Sequence, residues 1–95
     1  MTQVTIADGK VNGKPIVKAW ESFTGWYWLA TEKVRDQLSD FGDGKPVRDT
    51  IWFGFVIGTF PEWGYFSERE ITSLSPFTWE IRRRDIPYIN KEVRA

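Results

Sequence analysis

The ten residues Pro61-Glu62-Trp63-Gly64-Tyr65-Phe66-Ser67-Glu68-Arg69-Glu70 constrain the fold more than any other part of the chain. Pro61 fixes its own φ, and Gly64 can adopt the positive φ that a turn demands. Ser67 followed three residues later by Glu70 is a capping-box signature, in which each side chain satisfies an orphan backbone N–H at a helix start. The spacing predicts a strand that ends near Phe66 and a helix that runs from Glu68 to Leu74, where Pro76 stops it. This block carries architecture but no reaction chemistry.

Two other segments are apolar on both faces. In Trp26–Glu32, Trp26, Trp28 and Ala30 point one way and Tyr27, Leu29 and Thr31 the other. Thr50–Ile57 has the same character, which marks a central strand, and Gly54 inside it predicts a bulge or, better, a neighbouring ring lying on bare backbone. Thr2–Ala7 alternates as a short strand, Asp8-Gly9 and Asn12-Gly13 signal turns, and Ile16–Trp20 is extended. Residues 33–46 are polar and read as a loop, with a turn of helix over Lys33–Leu38. The last strand is expected over Thr78–Arg84, with Trp79 and Ile81 facing inward.

These elements predict an α+β fold: one small, antiparallel, strongly curved sheet of about five strands with one short capped helix. A single domain spans residues 1–95, with an N-terminal strand and hairpin over 1–17, a core over 18–88 and a frayed tail over 89–95. Two strands need cover on both faces, yet few residues are helical. Either the sheet curls over its own concave face, or an aromatic surface stays exposed for a partner.

Composition narrows the chemistry. The chain has no cysteine and no histidine, which removes disulfides, Cys/His zinc sites, thiol nucleophiles and imidazole bases. Lys plus Arg equal Asp plus Glu at 13 each, and neither half of the chain is basic, unlike a duplex-DNA binder that lives on phosphate contacts. The first residues show no basic region followed by an apolar run, and Ile51–Ile57 is too short to span a bilayer. A cytoplasmic protein with no membrane association is expected. Six tryptophans, seven phenylalanines and three tyrosines supply the core material, each burying about 150–250 Å².

Lys18, Trp28 with Thr31-Glu32, Phe53-Gly54, the Glu62-x-Gly64-Tyr65-Phe66-Ser67-x-x-Glu70 block and Arg84-Asp85-Ile86 occur in an order that resembles a family of small domains of unknown function from plasmids, phages and other mobile elements. The resemblance covers about Lys18 to Tyr88. It implies a mobile-element accessory protein, of an anti-restriction or anti-CRISPR type, that counters host defence. It implies no catalytic residue.

Several constellations have a chemical and a structural reading. Glu32, Glu62, Glu70 and Asp85 could converge on a divalent metal or act as a carboxylate-based hydrolase; capping by Glu70, pairing of Asp85 with the preceding arginines and solvation of Glu32 are the structural reading and are preferred. Arg82-Arg83-Arg84, read as strand, splits its charge between two faces and pairs with Glu80, Asp85 and Glu32. Trp26, Trp28, Trp52, Phe53 and Phe55 could stack single-stranded nucleic acid, but lysine and arginine are absent from Trp26–Ala30 and Ile51–Phe60. Gly42-Asp43-Gly44-Lys45 lacks phosphate-loop spacing, and Asp40, Asp43 and Asp49 lack calcium-loop spacing. No cofactor, metal or catalytic residue is expected. The expected function is non-enzymatic protein binding by occlusion, with Pro61, Glu62, Trp63 and Tyr65 at the contact and Arg82 and Arg84 as a rim. Trp63 is expected to stand clear of the core. Single-stranded nucleic-acid binding is the alternative, and homodimerisation is compatible with both.

Overall fold

Two tight turns organise the start of the chain. Asp8 and Gly9 take φ of 54° and 71°, and Asn12 and Gly13 take 48° and 82°. Positive φ at both central positions matches the right-handed twist of a two-residue hairpin. The turns join β1 (Thr2–Ala7), β2 (Lys10–Val11) and β3 (Lys14–Pro15). The computed structural model describes residues 2–40, 42 and 44–93; Asp43 of the predicted loop and the last two residues of the predicted tail lie outside that set.

The tail does not fray within the described residues. Ile89–Val93 forms β9, which runs antiparallel to β1 with Thr2 opposite Val93 and Ile6 opposite Ile89. The physical reason is burial. Val4, Ile6 and Val11 are wholly shielded and Val93 nearly so, and each buried aliphatic side chain contributes about 1.5–3 kcal/mol relative to exposure. The chain ends therefore form a four-stranded sheet in the order β3-β2-β1-β9.

The middle of the chain forms a second sheet. Its strands are β4 (Lys18–Ser22), β5 (Tyr27–Ser39), β6 (Val47–Ile57), β7 (Pro61–Ser67) and β8 (Thr78–Ile81), in the order β7-β6-β5-β4-β8 with every pairing antiparallel. A five-residue helix, α1 (Glu68–Thr72), follows β7, and a 3₁₀ turn covers Arg83–Asp85. The antiparallel α+β class is as expected. The single, strongly curved sheet is not: a second sheet covers the inner face instead of curvature. Leu29 and Phe55 from the larger sheet pack with Val4, Ile6, Val11 and Val93 in one core. On the outer face, Ile71 of α1 closes over Trp20 and Ala30, flanked by Trp28, Trp52 and Phe66.

Four local expectations change. Lys33–Leu38 is strand, because β5 pairs with β6 out to Ser39 opposite Val47. The last strand of the larger sheet stops at Ile81, and the 3₁₀ turn replaces the alternation expected of Arg82-Arg83-Arg84. Trp79 is 42% exposed, while Ile81 does pack on the core. The helix ends at Thr72, and Leu74 lies in the turn beyond, its N–H donating to Ile71 O at 3.1 Å.

Gly54 owes its place to backbone and not to a ring. A Cβ there would sit 2.0 Å from Leu29 O and 2.9 Å from Ala30 Cα, next to a register shift between Ala30 and Glu32. A bulge needs such close approach. The ring-covered glycine is Gly58, where a Cβ would meet the Trp26 indole at 2.7–2.8 Å. A carbonyl inside a sheet ladder cannot retreat, whereas an indole can rotate. Gly54→Ala is expected to destabilise the fold by on the order of 3 kcal/mol or more and Gly58→Ala by much less, as read by urea denaturation of the two variants.

Candidate functional site

The best-supported polar centre is Asp49 on β6. It is 5% exposed and accepts hydrogen bonds from the Ser67 hydroxyl, the Ser39 hydroxyl at 3.0 Å, Arg69 N–H at 2.8 Å and Thr50 N–H at 2.8 Å. Burial pushes its carboxyl up, but the bonds from Ser67, Arg69, Ser39 and Thr50 outweigh burial and hold it below the usual aspartate range. Ser67 Oγ in turn accepts from Glu70 N–H at 3.1 Å, the first half of the predicted capping box. The reciprocal half does not form: Ser67 turns its hydroxyl to Asp49, and the Glu70 carboxylate makes no hydrogen bond or ion pair among the described residues.

Four donors saturate the Asp49 carboxylate and hold it in place. Asp49 joins β5, β6, β7 and the first turn of α1, and lines a cleft of about 300 Å³ with Asp36, Arg48, Thr50, Glu68, Arg69 and Thr72. The other two acids there are also engaged. Glu68 accepts from Lys18 Nζ at 3.1 Å and from the Trp52 indole N–H at 2.9 Å. Asp36 pairs with Lys33 at 2.8 Å and accepts from the Thr50 hydroxyl, and these contacts lower its pKa.

Among the described residues no group of three or more carboxylates is close enough to hold a metal ion. Glu32, Glu62, Glu70 and Asp85 are therefore not brought together. They sit on β5, β7, α1 and the 3₁₀ turn. Arg82, Arg83 and Arg84 form no ion pair among the described residues; Glu80 approaches Lys18 at 3.8 Å instead.

The predicted contact residues separate in the same way. Pro61, Glu62, Trp63 and Tyr65 lie on β7 at one edge of the larger sheet, and Arg82 and Arg84 follow β8 at the other. Four strand spacings, about 19 Å, divide the two edges. Trp63 does not stand clear of the core: it is half-buried, stacks on Phe53 at 5.9 Å and 9°, meets Phe55 edge-on at 5.3 Å and packs on the main cluster. Tyr65 is exposed, with Phe53 edge-on at 5.1 Å.

The expected nucleic-acid platform is also divided. Phe55 is wholly buried, Trp52 is tied to Glu68, and Phe53 lies on the inner face with Trp63. Trp26 and Trp28 remain, 5.8 Å apart on the outer face.

Around those two rings the structure assembles a site that the sequence reading missed. Phe23, Trp26, Trp28, Leu74 and Phe77, with Ser22, Thr24 and Thr78, line a cleft of about 370 Å³. Phe23, Leu74 and Phe77 are more than half exposed, and Phe23 and Phe77 lie 5.5 Å apart. A second cleft of about 260 Å³ shares Trp26, Trp28 and Leu74 and continues to Phe66, Ile71 and Glu70. The hydroxyls are already used. Ser22 bonds Thr24 at 2.7 Å and accepts from Trp26 N–H, and Thr78 donates to Ile71 O at 2.6 Å. Among the described residues no lysine or arginine lines either cleft. The sequence signal was the isolated pair Phe23 and Phe77, each flanking a strand end. Their approach depends on the pairing of β4 with β8, which carries the Phe23 N–H to Phe77 O bond at 3.0 Å.

No family model matches the chain, and neither a curated protein nor a solved structure matches it. Among the described residues no helix is long and apolar enough to cross a membrane.

Two stability measurements check this assignment. Because the folded pKa of Asp49 lies below its unfolded value, its stabilisation is present above about pH 4 and is lost as pH falls through the folded value. Asp49→Asn should cost about 2 kcal/mol at pH 7, and the gap from the parent should shrink below about pH 4 in urea titrations. Trp63→Ala should cost about 2 kcal/mol, lowering the midpoint of thermal unfolding by about 8–16 °C for a domain of this size.

Proposed function

We propose that this chain is a non-enzymatic protein-binding module whose working surface is the aromatic cleft on the outer face of the larger sheet. One observation carries the reading: Phe23, Trp26, Leu74 and Phe77 stand exposed together around a concave, almost wholly apolar site. Scattered surface apolar residues are ordinary, but a contiguous concave patch favours a partner. Tryptophan is among the residues enriched in the few hot spots that carry most of the binding energy at protein interfaces. Among the described residues no cation lines the cleft, which weighs against nucleic acid, since stacking platforms work beside basic side chains. Action by occlusion needs no catalytic group. An anti-defence role on a mobile element is compatible with that mode and is drawn from the resemblance of the Glu62–Glu70 block.

Selection from a random displayed-peptide library tests the reading. Enriched peptides should carry bulky apolar anchors and should bind Phe77→Ser at least about tenfold more weakly, a loss of about 1.4 kcal/mol. Phe77 is 58% exposed, so the unfolding midpoint of the variant should stay close to that of the parent. Enriched peptides that bind Phe77→Ser and Phe23→Ser as tightly as the parent would overturn it.

A further inference from the structure

The outer-face cleft combines ring faces with an uncommitted carboxylate, and that combination selects for a particular chemistry. Trp26 lies with its indole against the bare backbone of Gly58. Trp28 stands 5.8 Å from it at a 40° tilt, and the Phe23–Phe77 pair lines the same cleft. Aromatic faces carry the negative part of the ring quadrupole and attract cations whose charge is spread over a greasy surface.

Among the described residues nothing in the cleft competes for such a ligand. Its three hydroxyls are satisfied, so they offer no strong site to a ligand that needs directed hydrogen bonds. Among the described residues no lysine or arginine supplies a resident cation–π contact at these rings. Lys18, a paired cation on that face, is held by Glu68 and Glu80 and lies over Trp20, 5.4 Å from its ring centroid. Glu70 lines the adjoining cleft, whose wall of Trp26, Trp28 and Leu74 is common to both, and its carboxylate has no partner among the described residues. A carboxylate that lines one cleft with two indoles is complementary to an alkylated ammonium ion.

We propose that the joined clefts bind the trimethylammonium group of a methylated lysine side chain on the partner polypeptide, the charged head beside Trp26, Trp28 and Glu70 and the aliphatic stem lying along Leu74 toward Phe77. This rests on the protein-binding reading. The two joined clefts suit a charged head carried on an apolar stem better than they suit a compact free ion.

The probe is Nα-acetyl-trimethyllysine amide, compared with the neutral isostere in which carbon replaces the ammonium nitrogen, and with choline as a free headgroup. Binding is followed by tryptophan fluorescence and by the upfield ring-current shift of the N-methyl protons. The trimethyllysine amide should bind about tenfold more tightly than the neutral isostere and more tightly than choline. Affinity should fall several-fold in Glu70→Gln, and the ring-current shift should disappear in Trp26→Ala; Phe77→Ser gives a second test of the wall should Trp26→Ala fail to fold. Equal affinity for the neutral isostere would overturn the cation assignment, and choline binding as tightly as the amide would overturn the side-chain source. Absence of saturable binding by the amide, while library peptides still bind and still depend on Phe77, would sink this proposal and leave the docking reading standing.

Discussion

A five-stranded sheet that is apolar on both faces must be covered twice, and this chain has little helix with which to do it. The inner face is closed by the second sheet, built from the two chain ends. Among the described residues the outer face receives only α1, whose five residues span about 7.5 Å of axis against a sheet about 19 Å wide. Ile71 shields Trp20 and Ala30, but the surface beyond it stays open. The cleft of Phe23, Trp26, Trp28, Leu74 and Phe77 is the part of that face the helix does not reach. Its exposure follows from a shortage of cover, and a partner can use what the fold leaves bare.

A helix this short has no stability of its own, since isolated helices below about 12–15 residues are marginal in water. Its position is imposed from outside. Asp49 binds the hydroxyl and the N–H at its start, Thr78 reaches Ile71 O in its last turn, and Glu68 is held by Lys18 and the Trp52 indole. These contacts also place the turn that carries Leu74 and Phe77. The polar network around Asp49 and the apolar cleft are thus parts of one arrangement: the first fixes the helix, and the helix sets one wall of the second.

Local features were legible where a short-range rule governs them. Asp8-Gly9 and Asn12-Gly13 make their turns because those residues tolerate positive φ. Ser67 caps α1 because its hydroxyl is within reach of Glu70 N–H. Long-range features were not legible. The polar run from Lys33 to Leu38 resembles a loop, yet it is strand because β6 continues opposite it. The tail gains its order from Val93 packing into the core with Val4 and Ile6, a pairing between opposite chain ends that no window of sequence contains. Gly54 signalled close approach correctly, but whether the neighbour is a ring or a carbonyl depends on the adjacent strand.

By itself the sequence determined the antiparallel strand content, the two N-terminal turns, the start of the helix and the absence of cysteine or histidine chemistry, because each depends on residue identity or on neighbours within a few positions. Only the tertiary structure decided that the chain ends would form a second sheet. It also decided that the predicted contact residues would part to opposite edges, and that Phe23 and Phe77, 54 positions apart in the chain, would meet as one wall of a cleft. Strand order sets those distances, and strand order is the outcome of which apolar faces bury each other.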